Sequence, residues 1–220
     1  MQKITVAIDG PSGSGKSSVS KEAARRLGAA YLDTGAMYRA VTWHALDAGT
    51  DLTDAAAVAA AVKAADLFIS TDPDVEKVTI HGADVTEAIR EPFVSAAVSA
   101  VATNLEARAE LVARQRAIIA AHPRIVAEGR DITTVVAPDA EARILLTASE
   151  EARLRRRGLQ LGGTQSAAEL EAQVLARDAK DSTVVNFQVA ADGVVTVDSS
   201  DLDFEQTVAT VLEAIKAQAA

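Results

Sequence analysis

With 220 residues, 49% of them hydrophobic and 24% charged, the chain has the makings of one soluble globular unit with a substantial core. It contains no cysteine, which excludes disulfides, thiolate metal sites and thiol nucleophiles, and its three histidines, His44, His81 and His122, are too scattered in sequence for a helical or hairpin metal pair. A net charge of −9 argues against nucleic acid or an anionic membrane as the main partner, so arginines that handle anions would have to be concentrated locally.

The chain opens on a strand-like run with no charged-then-apolar leader, and no apolar stretch reaches 18 residues, from which a cytoplasmic protein is expected. "KITVAI" (3–8) reads as a buried strand and 16–27 as a helix. Between them Gly10–Ser17 matches G-x-x-x-x-G-K-S in full, in the strand–loop–helix setting this motif requires. Gly10, Pro11, Ser12, Gly13, Ser14, Gly15, Lys16, Ser17 and Ser18 are therefore the candidates for holding a nucleotide triphosphate. Glycines let backbone N–H groups converge on phosphate oxygens, Lys16 brings a charge to the β and γ phosphates, and the Ser17 hydroxyl is a ligand for Mg²⁺. The start of the helix adds its positive end. Asp9 has two readings, support for the Mg²⁺ shell or simply the end of the strand.

"AYLD" (30–33) is a second strand, and in "LDTGAMYR" (32–39) Asp33 and Thr34 end it and can cap a helix that carries Arg39 one turn in. An Ala-rich helix is expected over 54–65, a small antiparallel piece over 66–90 ("DLFIST", "VTIHG", "ADVT") and a long helix over 105–121. "RIVAEG" (124–129) is a strand followed by Arg130 and Asp131; "ARILLT" (142–147) and "GVVTVD" (193–198) are further strands. Helices are expected over 149–160, 166–179 and 204–218, the first two interrupted by "GLQLGGTQS" (158–166). Alternating strands and helices predict an α/β P-loop NTPase fold with a parallel sheet of about five strands flanked by helices. The expected organisation is a single unit over 1–220, with its core in 1–33, 119–152 and 181–220, an insert at about 34–118 and a lid at about 153–180.

A GTPase would carry D-x-x-G and N-K-x-D, and neither occurs. "LGGTQ" (161–165) superficially resembles an ABC-type signature, but no apolar strand ends in consecutive acids, so a loop is the better reading. A small-molecule kinase remains. Arg153, Arg155, Arg156 and Arg157 fall within five residues; alone they read as a solvated helix face, with Glu151 and Arg155 at i,i+4, and beside a P-loop they become candidate phosphate contacts. Arg39 and Arg130 leave two strand ends on the P-loop's side of the sheet, where open α/β folds bind ligands. They suggest a clamp for a second anion, against surface ion pairs as the alternative. Arg130 and Asp131 are too close in sequence to pair with one another.

"DGPSGSGKS", "LDTGAMYR", "VSAVATNLEAR", "VAEGRDI" and "RDAKDS" together resemble the bacterial cytidylate kinases, which phosphorylate CMP and dCMP with ATP. The resemblance spans essentially the whole chain, and it identifies the insert as the NMP-binding subdomain of that family. It implies that Thr34, Arg39 and Arg130 surround the CMP phosphate, that Ser99, Arg108 and Asp131 hydrogen-bond the cytosine edge, that Arg177 meets the transferring phosphates from the lid, and that Asp181 meets the ribose hydroxyl. The catalytic charges would be Lys16, Arg39, Arg130 and Arg177. Cytosine chemistry agrees, since its exocyclic N4 is a donor suited to a carboxylate, while Arg and Ser serve O2 and N3. Ser99 also reads as a small helix-packing residue and Arg108 as a surface residue of its long helix. The expected ligands are CMP or dCMP and ATP with Mg²⁺, with neither nucleic acid nor membrane as partner and a monomer as the default. The alternatives are a P-loop kinase of another small acceptor (UMP, or a metabolite such as shikimate or gluconate) and a P-loop regulatory protein. One departure stands out. Where the family pattern has an arginine two positions past the serine of "RDxxDS", this chain has Val184, which leaves two readings: replacement by another arginine such as Arg155 or Arg157, or a weaker hold on phosphate.

Overall fold

The computed structural model describes residues 3–160, 175 and 177–219, without the side chains of Gln160 and Arg177. In chain order its first half comprises β1 (Ile4–Asp9), α1 (Lys16–Leu27), β2 (Ala30–Asp33), α2 (Thr34–Asp47), α3 (Ala55–Ala64), β3 (Leu67–Ile69), β4 (Val78–Ile80), β5 (Ala83–Asp84) and α4 (Pro92–Ala102). There follow α5 (Leu105–Ala121), β6 (Arg124–Gly129), β7 (Ala142–Thr147), α6 (Glu150–Gln160), α7 (Arg177–Asp181), β8 (Val195–Asp198) and α8 (Phe204–Gln218). Five strands form one parallel sheet in the order β2-β6-β1-β7-β8. The central strands are the continuous apolar runs of the sequence, as burial on both faces demands.

Side chains alternate across β1, and each face has its own core. Val6 and Ile8 join Val126, Ile144 and Leu146 beneath α1 and α8, with Val19, Ala23, Val208 and Ile215 closing that layer. Ala7 points the other way with Leu32, Ile125 and Ala127, against Met37 and Val41 of α2 and Leu111 and Ile119 of α5. This second core runs on without a break into Val58, Val62, Val78 and Ile80 of α3 and β4. Because β2 and β6 lie on one side of β1 and β7 and β8 on the other, the loop leaving β1 sits where the winding reverses, the usual ligand crevice of such sheets.

Helix starts are set by short polar side chains that accept from exposed N–H groups. Asp33 accepts from Ala36 at 2.8 Å, Asp54 from Ala56 at 2.9 Å and Asn104 from Ala107 at 3.1 Å, while Asp203 and Gln206 form a capping box at α8. The antiparallel piece expected at 66–90 is the three-stranded β3-β4-β5 sheet. Its tight turn places His81 at φ 48° and Gly82 at φ 78°, both in the left-handed region that such two-residue hairpins need. Two of the histidines read as scattered come together, with the His44 and His81 rings 5.0 Å apart. Burial and the His81 ring push the His44 imidazole below its ordinary pKa. Where a break is expected from residue 158, α6 is still helical through Gly158 and Leu159, and the rest of that segment lies outside the described residues. Most of the helix expected at 166–179 lies outside the described residues; its last residues form the start of α7. Among the described residues no helix is long and apolar enough to cross a membrane.

Candidate active site

The P-loop leaves β1 and enters α1 with Gly13 at φ +78° and Gly15 at φ +87°. A Cβ on Gly13 would lie 2.7 Å from the carbonyl oxygen of Arg153, so α6 crosses the loop at a distance only glycine tolerates. No side chain caps the start of α1, which leaves its N–H groups facing the loop. Lys16 Nζ lies 3.4 Å from the Pro11 carbonyl, and the Ser17 hydroxyl donates to Glu128 Oε1 at 2.6 Å.

Glu128 is a site residue that sequence reasoning missed. It sits near the end of β6, in register with Ile8 of the P-loop strand, and is only 1% exposed. It also accepts from the Tyr31 hydroxyl at 3.2 Å. Burial first, then the nearby Asp33 charge, raise its carboxyl pKa, opposed by Lys16 and the Ser17 hydrogen bond. An acid at the end of an apolar strand running beside the P-loop strand was the available signal, because P-loop enzymes keep a carboxylate there for the metal. Asp9 is the residue that ends the strand. It accepts from Ile132 N at 2.8 Å and from Thr133 N and Oγ1 at 2.9 and 2.6 Å, tying β1 to the segment after β6 rather than to Ser17.

Arg39 pairs with Asp33 at 3.1 Å, and Thr34 Oγ1 donates to the Glu128 carbonyl at 2.8 Å. Burial would raise the Asp33 carboxyl, but the Arg39 charge and the Ala36 N–H outweigh it and hold the pKa below its ordinary value. Arg39 belongs to the wall of a cavity of about 1040 Å³ that also takes in Ser12 to Ser18, Asp33, Arg155 and Arg157. Burial first, and then the charge of Arg39, lower the Arg157 pKa.

The remaining candidates form a second group. Arg130 pairs with Asp181 and, at 2.9 Å, with Asp178, and donates to Ser12 Oγ at 2.7 Å. Ser99 donates to Asp181 at 3.2 Å. Asp131 pairs with Arg108, which also reaches the Ala102 carbonyl at 3.0 Å. Arg108 is therefore no surface residue; its side chain is 12% exposed. Burial raises the Asp131 carboxyl against the pull of Arg108. The side chain of Arg177 lies outside the described residues.

The arginine cluster of α6 is only partly a solvated face: Glu151 and Arg155 are exposed, but Arg153 and Arg156 turn inward. Arg153 donates to the Ser12 carbonyl at 3.0 Å and to Asp178 at 2.5 Å, and Arg156 to the Ser14 carbonyl at 3.3 Å and to Ser199 Oγ at 2.9 Å. Asp178, also missed in the sequence, thus joins the P-loop, α6 and Arg130, accepting from Ser12 N at 3.2 Å as well.

Residues 6–217 match the family model described as Cytidylate kinase. The chain belongs to the cytidylate kinase family. The cytidylate kinase of Nocardia farcinica is 52% identical over 93% of this chain and 90% of its own, and that of Cutibacterium acnes 47% identical over 96% of each. The cytidylate kinase of Rhodococcus jostii is 50% identical over 96% of this chain and 93% of its own. Among solved structures, a gluconokinase from Sinorhizobium meliloti superposes with TM-score 0.53 at 15% identity, covering 100% of this chain and 95% of that one, a likeness of fold alone.

Proposed function

We propose that this protein is a cytidylate kinase that transfers the γ-phosphoryl group of ATP to CMP or dCMP, giving ADP and CDP or dCDP. The family match along almost the entire chain carries this reading. The acceptor is an α-phosphate oxygen of CMP, already an anion, so no general base is needed. That oxygen attacks the γ-phosphorus as the bond to the bridging β,γ oxygen breaks, and ADP leaves with the electron pair. Catalysis is alignment and charge: Lys16 at the β and γ phosphates, Arg39 and Arg130 at the acceptor phosphate, Arg177 from the lid. Ser17 and Glu128 offer a hydroxyl and a carboxylate, oxygen donors of the kind Mg²⁺ takes. Mg²⁺ held there with the nucleotide would neutralise charge across the β and γ oxygens. Among the described residues no three His, Cys, Asp or Glu side chains could hold a metal without the nucleotide.

In this reading Asp131, Ser99 and Arg108 read cytosine and Asp181 the ribose. Residues about 34–118 form the NMP-binding insert and about 153–180 the lid, around a core in 1–33, 119–152 and 181–220, and the protein works in the cytoplasm as a monomer. Closure of lid and insert over the site excludes water, which would otherwise hydrolyse ATP. A coupled ADP-release assay with CMP, dCMP, UMP, AMP and shikimate tests the whole: turnover is expected with CMP and dCMP first. Turnover led by UMP or shikimate, or with no acceptor at all, overturns the reading.

Arg39→Ala and Arg130→Ala should each lower kcat/KM for CMP by roughly 10- to 100-fold, the worth of a charge-assisted contact, while KM for ATP changes little. An equal fall in ATP affinity counts against an acceptor clamp. In this reading Arg157, which lines the same cavity as Arg39 and the P-loop, takes the place of the arginine missing at Val184. Accordingly Val184→Arg should leave kcat/KM within about twofold, whereas Arg157→Ala should cost about tenfold or more. A several-fold gain from Val184→Arg would show that nothing had taken the lost arginine's place.

A further inference from the structure

The segment that departs from the family pattern, "STVVNF", does more than lose an arginine; it also places an aromatic ring. Phe187 is 1% exposed, yet it belongs to neither of the two apolar cores that sandwich the sheet. Its ring lies under the guanidinium of Arg130, with Cζ 4.6 Å from the ring centroid. The nitrogens of the same guanidinium are engaged elsewhere, by Asp178, Asp181 and Ser12 Oγ. A face and an edge make different contacts. A ring packed against the guanidinium restrains it without using any N–H, so the edge can exchange its present partners for the paired hydrogen bonds that a phosphate accepts.

We propose that Phe187 is a positioning residue for the kinase reaction, one that fixes the plane of Arg130 so that its N–H edge meets the CMP phosphate already oriented. The proposal rests on the assignment of Arg130 to the acceptor phosphate made above. Arginine has many rotamers, and one that must be ordered when substrate arrives subtracts that ordering from binding. Phe187 removes this cost beforehand. When the phosphate enters, the edge exchanges carboxylate partners for phosphate oxygens while the face keeps its ring.

The test compares CMP with cytidine, which has the base and ribose but no phosphate. Phe187→Leu should lower kcat/KM for CMP by roughly 5- to 30-fold, the span expected for a desolvated cation–π contact. Inhibition by cytidine and KM for ATP should stay as in the wild type, and Phe187→Tyr, which keeps the ring, should hold CMP use within about twofold. In an Arg130→Met background Phe187→Leu should cost nothing further, because there is no plane left to hold. A loss shared equally by CMP and cytidine, or one that persists in Arg130→Met, makes Phe187 a packing residue and overturns the proposal. An Arg130→Met protein with full CMP use overturns the clamp assignment and this role together. An Arg130→Met protein that loses CMP use beside a harmless Phe187→Leu overturns the stacking role alone. If Phe187→Leu does not fold, as a thermal melt would reveal, Phe187→Met fills a similar volume without a ring and is read the same way.

Discussion

Lys16→Ala should abolish phosphoryl transfer while leaving the protein folded. Lys16 is the first residue of α1, belongs to neither apolar core, and alanine is the best helix former to put in its place. What disappears is a cation at the P-loop. Removing one such group from a site built to stabilise developing charge costs roughly 10²- to 10³-fold in kcat. A second effect adds to the first, since Lys16 is the leading charge that opposes protonation of Glu128. Without it the carboxyl under Ser17 holds its proton to higher pH, and a protonated acid is a poorer partner for a metal-bearing hydroxyl. Circular dichroism and the coupled assay together decide the matter. A folded variant that keeps more than about a tenth of wild-type turnover contradicts the P-loop role.

Asp131→Ala should erase most of the preference for CMP over UMP. The two bases differ where the N4 amino donor of cytosine becomes the O4 acceptor of uracil, so a carboxylate bonds the first and repels the second. Asp131 is buried and tied to Arg108, which fixes it in place for that contact. A matched base contact is worth about 1–3 kcal/mol, so discrimination in kcat/KM should fall by roughly 5- to 150-fold, through slower CMP use with UMP changed little. The competing account is that Asp131 serves only to anchor Arg108, its ion-pair partner. In that case both substrates lose together and the CMP:UMP ratio survives, which would remove Asp131 from base reading.

The parallel sheet was legible because its strands are uninterrupted apolar runs between turn residues, the pattern that burial on two faces imposes. The P-loop was legible because its chemistry is contiguous, with the glycines, Lys16 and Ser17 within eight residues. What stayed hidden consists of pairings across long sequence separations. Ser17 meets Glu128 from 111 residues away and Arg153 meets the Ser12 carbonyl from 141, and neither partner looks unusual where it stands. The arginine cluster misled for the same reason, since i,i+4 spacing describes only neighbours on one helix. His44 and His81 are neighbours only because a two-residue turn folds one hairpin onto α2. The roles of Ser99, Arg108 and Asp181 came from family resemblance, and the structure adds that Ser99 and Asp181 share a hydrogen bond.

The crossing of α6 over the P-loop has a consequence for how tightly phosphate can be held. The carbonyl of Ser12 shares a peptide unit with the N–H of Gly13, and that of Ser14 with the N–H of Gly15. Arg153 and Arg156 donate to those two carbonyls. Drawing electron density toward a carbonyl oxygen increases the double-bond character of the amide and leaves its N–H more positive, a reinforcement of about 10–30% per bond in such chains. Through these carbonyls the two arginines sharpen the donors of the loop from behind. The influence runs both ways: an anion that engages those N–H groups makes the carbonyls better acceptors and binds α6 more firmly to the loop, so nucleotide occupancy and the seating of the helix are thermodynamically one event.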